Sequence, residues 1–507
     1  MSGYGRRDFL RVSGVGMAGA AVVGPQKIWP DERAMARAEE MTDSFVKLRR
    51  EQDRRKNELP EPADFFRLPV EWHKNKVREI KRGIQDRGVD GGIFVTRRWN
   101  LHYLGGLFHS TSQRPFAAFF PMDEEDACIW FYPYLDEPLI ERTPFWATGG
   151  HYYFCYPHAE GGYPHRGEPE QGRTVNLHKW WGEKLAEMGY GGKRIAIDAL
   201  DDTMGIMPGQ ENADRLNLFG EYDIPEPERP ETGMWGRVAE GLPESDFVDI
   251  GDILIQHRCV KDEHEQRLTQ LAMDYWSEIH AFARNYIIER GIGTLDYEVA
   301  NAAQLWGMQR IMQDIPQEGE AHVAVGISPG VGCRSGPVTA YPHANQTRWS
   351  PIQRGDALQF AGVTRIGGYG GEQYRSFLIA PWTDWQEKVW EVHTETYFIQ
   401  AEECREGNRC SDVAKAVHDH QVANGVEHTA YHRPGHGAGM EGHQPPFHSL
   451  GDYTELKSGM MFSNEPGLYD PDHRFGFNHS NNLLTSTDRG LQMGTAPCNK
   501  EWCFLDL

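Results

Sequence analysis

Tyr431-His-Arg-Pro-Gly-His-Gly-Ala-Gly-Met-Glu-Gly-His443 sets three imidazoles, His432, His436 and His443, among glycines. The glycines let the backbone close around whatever the rings face. Downstream, Gly459-Met-Met-Phe-Ser-Asn-Glu465-Pro-Gly places one carboxylate in an apolar run just before a turn. A fourth histidine, His343, ends Ala340-Tyr-Pro-His343. Imidazoles and a carboxylate in this pattern suit two chemistries. They can ligate a divalent cation, or they can move protons near neutral pH, where imidazole titrates. A single histidine is more often a hydrogen-bonded core residue. The shared placement of four favours chemistry, His343 and His436 above all.

Charge and composition narrow the partners. The 507 residues carry 52 Lys+Arg against 74 Asp+Glu, a formal charge of −22, which leaves no basic footprint for nucleic acid. Length suggests two or three domains, and the apolar and aromatic content is enough for substantial cores. Gly5-Arg6-Arg7-Asp8-Phe9-Leu10 before a mild apolar run reads as a twin-arginine export signal over residues 1–30, hence a periplasmic address. The run is too short and glycine-rich to span a membrane, and no later stretch qualifies. The eight cysteines match no zinc motif; Cys404–Cys410 and Cys498–Cys503 are the pairs spaced for local bridges, with buried free thiols the alternative.

The elements that must position these residues follow. Residues 31–75 hold a charged segment, Ala34 to Asn57, expected as a helical arm in solvent. Residues 76–255 then mix helix and strand: a helix at Val77–Ile84, strands at Gly91–Thr96, Ala117–Pro121, Ala127–Tyr132 and Arg194–Asp198, and a helix near Leu177–Met188. An α/β unit is expected there. Residues 256–507 open with the clearest helix, in which Leu268, Leu271, Ala272, Tyr275, Ile279, Phe282 and Tyr286 share a face and Gly291 supplies the stop.

The second half resembles the pita-bread family of Xaa-Pro aminopeptidases, prolidase, methionine aminopeptidase and creatinase. The resemblance rests on Gly355-Asp356 and Ala357–Ala361, Gly367-Gly-Tyr-Gly-Gly-Glu372-Gln-Tyr-Arg-Ser-Phe377, the triple-histidine stretch, Glu465, and Phe477-Asn-His-Ser480. It covers roughly residues 75–500 and implies an α/β N-terminal creatinase-like domain followed by an α+β pita-bread catalytic domain. It also implies a homodimer. Metal-dependent members hold two divalent ions with two aspartates, a histidine and two glutamates. Those positions fall here on Ala361, Glu372, His436, Glu465 and Ser480. A methyl group cannot bind a cation, and a neutral hydroxyl is a poor bridging ligand. Two ions would bring about +4 against about −2, charge buried without compensation.

No bridged metal pair is therefore expected. Glu372, His436 and Glu465 still amount to three ligands and an open position for one ion. Without metal, the resemblance narrows to creatinase and similar metal-free hydrolases, which implies proton transfer by His343 and substrate holding by Glu465. His436 and His443 join the catalytic set, while Glu372, Tyr374, His432 and Arg114 are expected to bind substrate, Arg114 as a carboxylate clamp from a loop that enters a neighbouring subunit. The expected activity is hydrolysis of a C–N bond in a small zwitterionic or cationic molecule. The competing readings are a single-metal Xaa-Pro-type peptidase, a lyase of the dimethylsulfoniopropionate-cleaving kind, and a degenerate relative that only binds.

Overall fold

Short aromatic and β-branched runs build the first sheet of the computed structural model, which describes residues 30–54, 59–108, 114–142, 145–153, 177–198, 234–315, 324–343 and 350–507. The expected export signal and Cys155 lie outside the described residues. The strands are Gly92–Val95 (β1), Ala117–Pro121 (β2), Ile129–Pro133 (β3), Gly149–Tyr153 (β4), Arg194–Ile197 (β5) and Asp246–Asp249 (β6), in the order β4-β3-β2-β1-β5-β6. β1 runs antiparallel to β2 and parallel to β5. Both are buried along their length, so they read as continuous apolar runs without alternation. Helices Leu177–Glu187 and Met234–Gly241 cover one face, with Trp181 and Trp235 packed edge-on against Phe94. They cross backbone to backbone: a Cβ on Gly182 would lie 2.1 Å from the Val238 carbonyl oxygen.

The long helix Glu263–Arg290 organises the second unit. Asp262 caps it, accepting from the backbone N–H groups of His264 and Glu265, while Glu265 accepts from the Asp262 N–H. Of the expected apolar face, Leu268, Ala272, Tyr275, Ile279, Phe282 and Tyr286 are fully buried. Leu268, Ala272 and Tyr275 share a core with Ile80, Ile93 and Leu104 of the first unit.

The charged N-terminal segment is not a solvated arm. It forms helix Glu32–Arg54 and packs along Glu263–Arg290. Ala34, Ala38 and Thr42, one turn apart, make the buried stripe, and Asn285 donates to the Thr42 hydroxyl at 3.2 Å. The small side chains let the helices approach closely. Charge on the remaining faces hides this stripe in the sequence.

Two sheets follow. Ser328–Ser335 (β7), Ala357–Ile366 (β8), Tyr369–Glu372 (β9), Arg375–Ile379 (β10) and the C-terminal Phe504–Leu505 (β18) form one, ordered β18-β10-β8-β7 with β9 against β8. Gly435–Gly437 (β11), Gln444–His448 (β12), Met461–Asn464 (β13), Asn481–Thr485 (β16) and Gly490–Gln492 (β17) form the other, ordered β12-β11-β13-β16-β17. Leu468–Asp470 (β14) and Phe475–Phe477 (β15) make a separate hairpin. The sheets are stitched at Tyr374 and Ser480, whose backbones exchange two 3.1 Å hydrogen bonds. Of the two readings left open for the cysteines, the free thiols hold: all seven described cysteines are free, and neither Cys404–Cys410 nor Cys498–Cys503 is bridged. Cys404 shares a hydrogen bond with the Thr485 hydroxyl, and Cys503 donates to the Pro497 carbonyl.

Arg375 locks the stitch. Only 1% exposed, it donates to the carbonyls of Tyr374 at 2.6 Å, Ser480 at 2.8 Å, and Ala496 and Pro497 at 2.9 Å. Arg375→Leu strips several buried carbonyls of their donor. It is expected to cost about 3 kcal/mol or more, read as a lowered urea midpoint. Arg375→Lys should recover only part of this, since one ammonium cannot span all these acceptors.

Candidate functional site

β8 turns one face to the core and the other to a cleft. Thr364 and Ile366 are buried, while Ala361, Val363 and Arg365 alternate with them and are partly open. The two-residue turn Gly367-Gly368, with φ of 58° and 79°, closes the hairpin to β9. This register sets Glu372 opposite Val363, on the cleft face. From the facing sheet, β11 delivers His436 at a register shift between His436 and Gly437, a bulge that re-aims the side chain. Glu465 follows directly after β13.

His436 is 2% exposed. Its Nδ1 lies 3.1 Å from the Gly437 carbonyl oxygen and its Nε2 2.9 Å from Glu465 Oε1. Nδ1 bonds the Gly437 carbonyl, while the short Nε2–Glu465 contact is an ionic one outside hydrogen-bond geometry. Burial opposes a positive charge on the ring, but Glu465 and then Glu372 outweigh it and raise its pKa. Ser463 completes the arrangement: its hydroxyl accepts the His436 backbone N–H at 3.0 Å and donates to Glu465 Oε1 at 3.1 Å. Burial resists ionisation of Glu465, yet His436, followed by His432 and His443, brings its pKa down to about 2.

Glu372 behaves oppositely. Burial and the neighbouring Glu465 carboxylate push it up to about 8, so it holds a proton at neutral pH. His443 lies over His436 with ring centroids 3.9 Å apart, its outer edge exposed. Partial burial, then the cationic His436, lower it to about 4, leaving a neutral imidazole. One carboxylic acid, one carboxylate, one imidazolium and one neutral imidazole thus meet in a single cleft.

The remaining expected residues fall around this centre. Tyr374 is half-buried and favours the ionised form of Glu372 through its hydroxyl. His432 points Nε2 at the Tyr469 hydroxyl, 3.1 Å away, and acts electrostatically on Glu465. His343 is exposed at the rim and acts on His443. Arg114 is half-buried just ahead of β2 in the first unit. Sequence reasoning missed Ser463, whose only signal was its place two residues before Glu465. It also missed Arg365, two strand steps along the cleft face from Ala361.

The donor set fits one metal ion and not two. Ligand atoms of Glu372, His436 and His443 lie within 4.8 Å of one another. His443 takes the place expected of Glu465, because Glu465 Oε1 is engaged by His436 and Ser463. An ion held there would polarise a carbonyl or acidify a water. A second ion would face the Ala361 methyl group and the neutral Ser480 hydroxyl. The Ser480 Oγ and Glu372 Oε2 are buried with no hydrogen-bond partner among the described residues.

Two sheets meeting over a His/Glu cleft, behind an α/β unit, define the pita-bread fold. Residues 266–487 match metallopeptidase family M24. Among curated relatives, a putative dipeptidase, YkvY, of Bacillus subtilis is 26% identical over 45% of this chain and 58% of its own length. The Xaa-Pro dipeptidase of Lactobacillus delbrueckii subsp. lactis is 26% identical over 45% of this chain and 59% of its own. The chain thus spans less than two thirds of these relatives. Among solved structures, prolidase from Thermococcus sibiricus superposes with a TM-score of 0.62 at 20% identity, covering 85% of this chain and 99% of its own. The N-terminal domain of the FACT complex subunit SPT16 from chickpea gives 0.60 at 12% identity, covering 86% and 99%. At these identities the likeness is one of fold.

The displaced titration of Glu372 has a measurable consequence. Its folded pKa of about 8 lies above the ordinary 4.5, so its stabilising protonation is complete below about 4.5 and lost as pH rises through about 8. Buried Glu265 is raised to about 8 as well and acts in the same direction. The thermal midpoint should therefore fall between those pH values, and Glu372→Gln should flatten part of the fall.

Proposed function

We propose that the chain is a peptidase-type hydrolase acting at a C–N bond of a small zwitterionic or cationic molecule, with acid–base side chains in place of a bridged metal pair. One observation carries this reading. Ala361 and Ser480 stand where the family resemblance places metal ligands, while Glu372 is raised to about 8 and His436 is raised, beside Glu465 lowered to about 2 and His443 lowered to about 4.

In this mechanism His443 accepts a proton from water as its oxygen adds to the carbonyl carbon. The His436 imidazolium, anchored by Glu465, offsets charge developing on the carbonyl oxygen. The C–N bond breaks as Glu372 delivers its proton to the departing nitrogen. His343 passes the proton on His443 to solvent, and the carboxylic acid product returns a proton to Glu372 as it leaves as carboxylate. His432 and Tyr374 shape the cavity and fix Glu465 and Glu372. The twin-arginine start supports a periplasmic site of action, and the family resemblance supports a homodimer; both belong to the same proposal.

The spacing of Glu372, His436 and His443 favours a second reading, a single-metal Xaa-Pro-type peptidase. Turnover in 18O-labelled water addresses the reaction class: hydrolysis places one solvent oxygen in the product, and an unlabelled product would point to elimination. Calorimetric titration with Mn2+ addresses the metal. The unaltered chain should bind at most one ion, and the double variant Ala361→Asp, Ser480→Glu should bind two. Two ions on the unaltered chain, or stoichiometric metal required for turnover, would overturn the metal-independent mechanism.

A further inference from the structure

Arg375 shows how this protein treats a buried structural guanidinium: every side of it meets a carbonyl oxygen. Arg365 is treated differently. It lies on the cleft face of β8, aligned with Ala361 and, across the hairpin, Glu372. Its Nη2 reaches within 3.4 Å of where a Cβ on Gly442 would stand, so the guanidinium rests against the loop that carries His443. Its Nε is buried with no hydrogen-bond partner among the described residues. No described carboxylate forms an ion pair with it. The nearby Glu441 is already taken by Arg258 at 3.0 Å.

A second guanidinium acts on it electrostatically. Arg98, the first residue of helix Arg98–Gly105 in the N-terminal unit, stacks over the Trp99 ring at 4.8 Å and is exposed. Burial and then Arg98 disfavour the charge on Arg365, against the pull of Glu372. Two cations that repel, one of them largely desolvated and unpaired, are costly to keep together unless something negative joins them.

We propose that Arg365 and Arg98 form the anion-recognition end of the cleft and take the carboxylate of the substrate. This rests on the cleft being the substrate site and adds an orientation: the carboxylate lies toward the first unit and the scissile bond over Glu372, His436 and His443. The planar fork of Arg365 suits a carboxylate, and Arg98 supplies the second contact. The assignment gives the N-terminal unit a part in selectivity, since Arg98 comes from it.

The test uses binding, so that it does not depend on turnover. N-acetylglycine and its uncharged counterpart N-acetylglycinamide are titrated into the full chain by calorimetry. The acid should bind roughly tenfold tighter or better, as a charge-assisted pair provides. Arg365→Leu should abolish the preference and Arg365→Lys keep part of it. Arg98→Ala, at an exposed position where folding is not at stake, should reduce it. Equal binding of acid and amide by the unaltered chain, or a preference that survives Arg365→Leu, would overturn the proposal. An acid preference without any hydrolysis would sink the proposed reaction and leave the anion end standing.

Discussion

The ion pair between His436 and Glu465 is the constraint on which the cleft depends. Nδ1 is held by a backbone carbonyl and Nε2 lies 2.9 Å from Glu465, which favours the charged ring against its burial. His436 in turn holds Glu465 ionised. Burial, and then the adjacent Glu465 carboxylate, keep Glu372 neutral. Burial, and then His436, lower His443. The four groups are thus biased together by burial and a shortage of carboxylates. Restoring the two missing acids would change every one of them.

The scaffold serves this arrangement at a few points. The bulge in β11 aims His436, the Gly367-Gly368 turn fixes which face Glu372 occupies, and the buried Arg375 holds the two sheets in register at Tyr374 and Ser480. Close packing forbids side chains in between: a Cβ on Gly371 would lie 2.0 Å from the Asn482 amide nitrogen. Precision at the site therefore comes from backbone contacts between neighbouring strands.

Much of this was legible in the sequence, for identifiable reasons. The long helix declared itself through its apolar rhythm and Gly291, and the strands Gly92–Val95 and Ala117–Pro121 through unbroken apolar runs. Motif order alone brings Glu372, His436 and Glu465 together. What escaped was long-range or masked by neighbours. Three small residues buried on one stripe of a highly charged helix gave no amphipathic signal. Cys404 and Cys410 looked close in sequence, but one thiol is turned to Thr485 and both are buried. Arg365 went unnoticed because an arginine on a strand is ordinary; only its lack of a partner makes it informative.

The core shared by the two units carries a last consequence. Ile80, Ile93 and Leu104 interdigitate with Leu268, Ala272 and Tyr275, and the Phe108 ring packs onto the Gly367-Gly368 turn. Swinging the first unit away would expose that whole apolar surface to water. Admission to the cavity must then be governed by short rim segments, with the bulk of the molecule acting as a fixed gauge for the size of what enters.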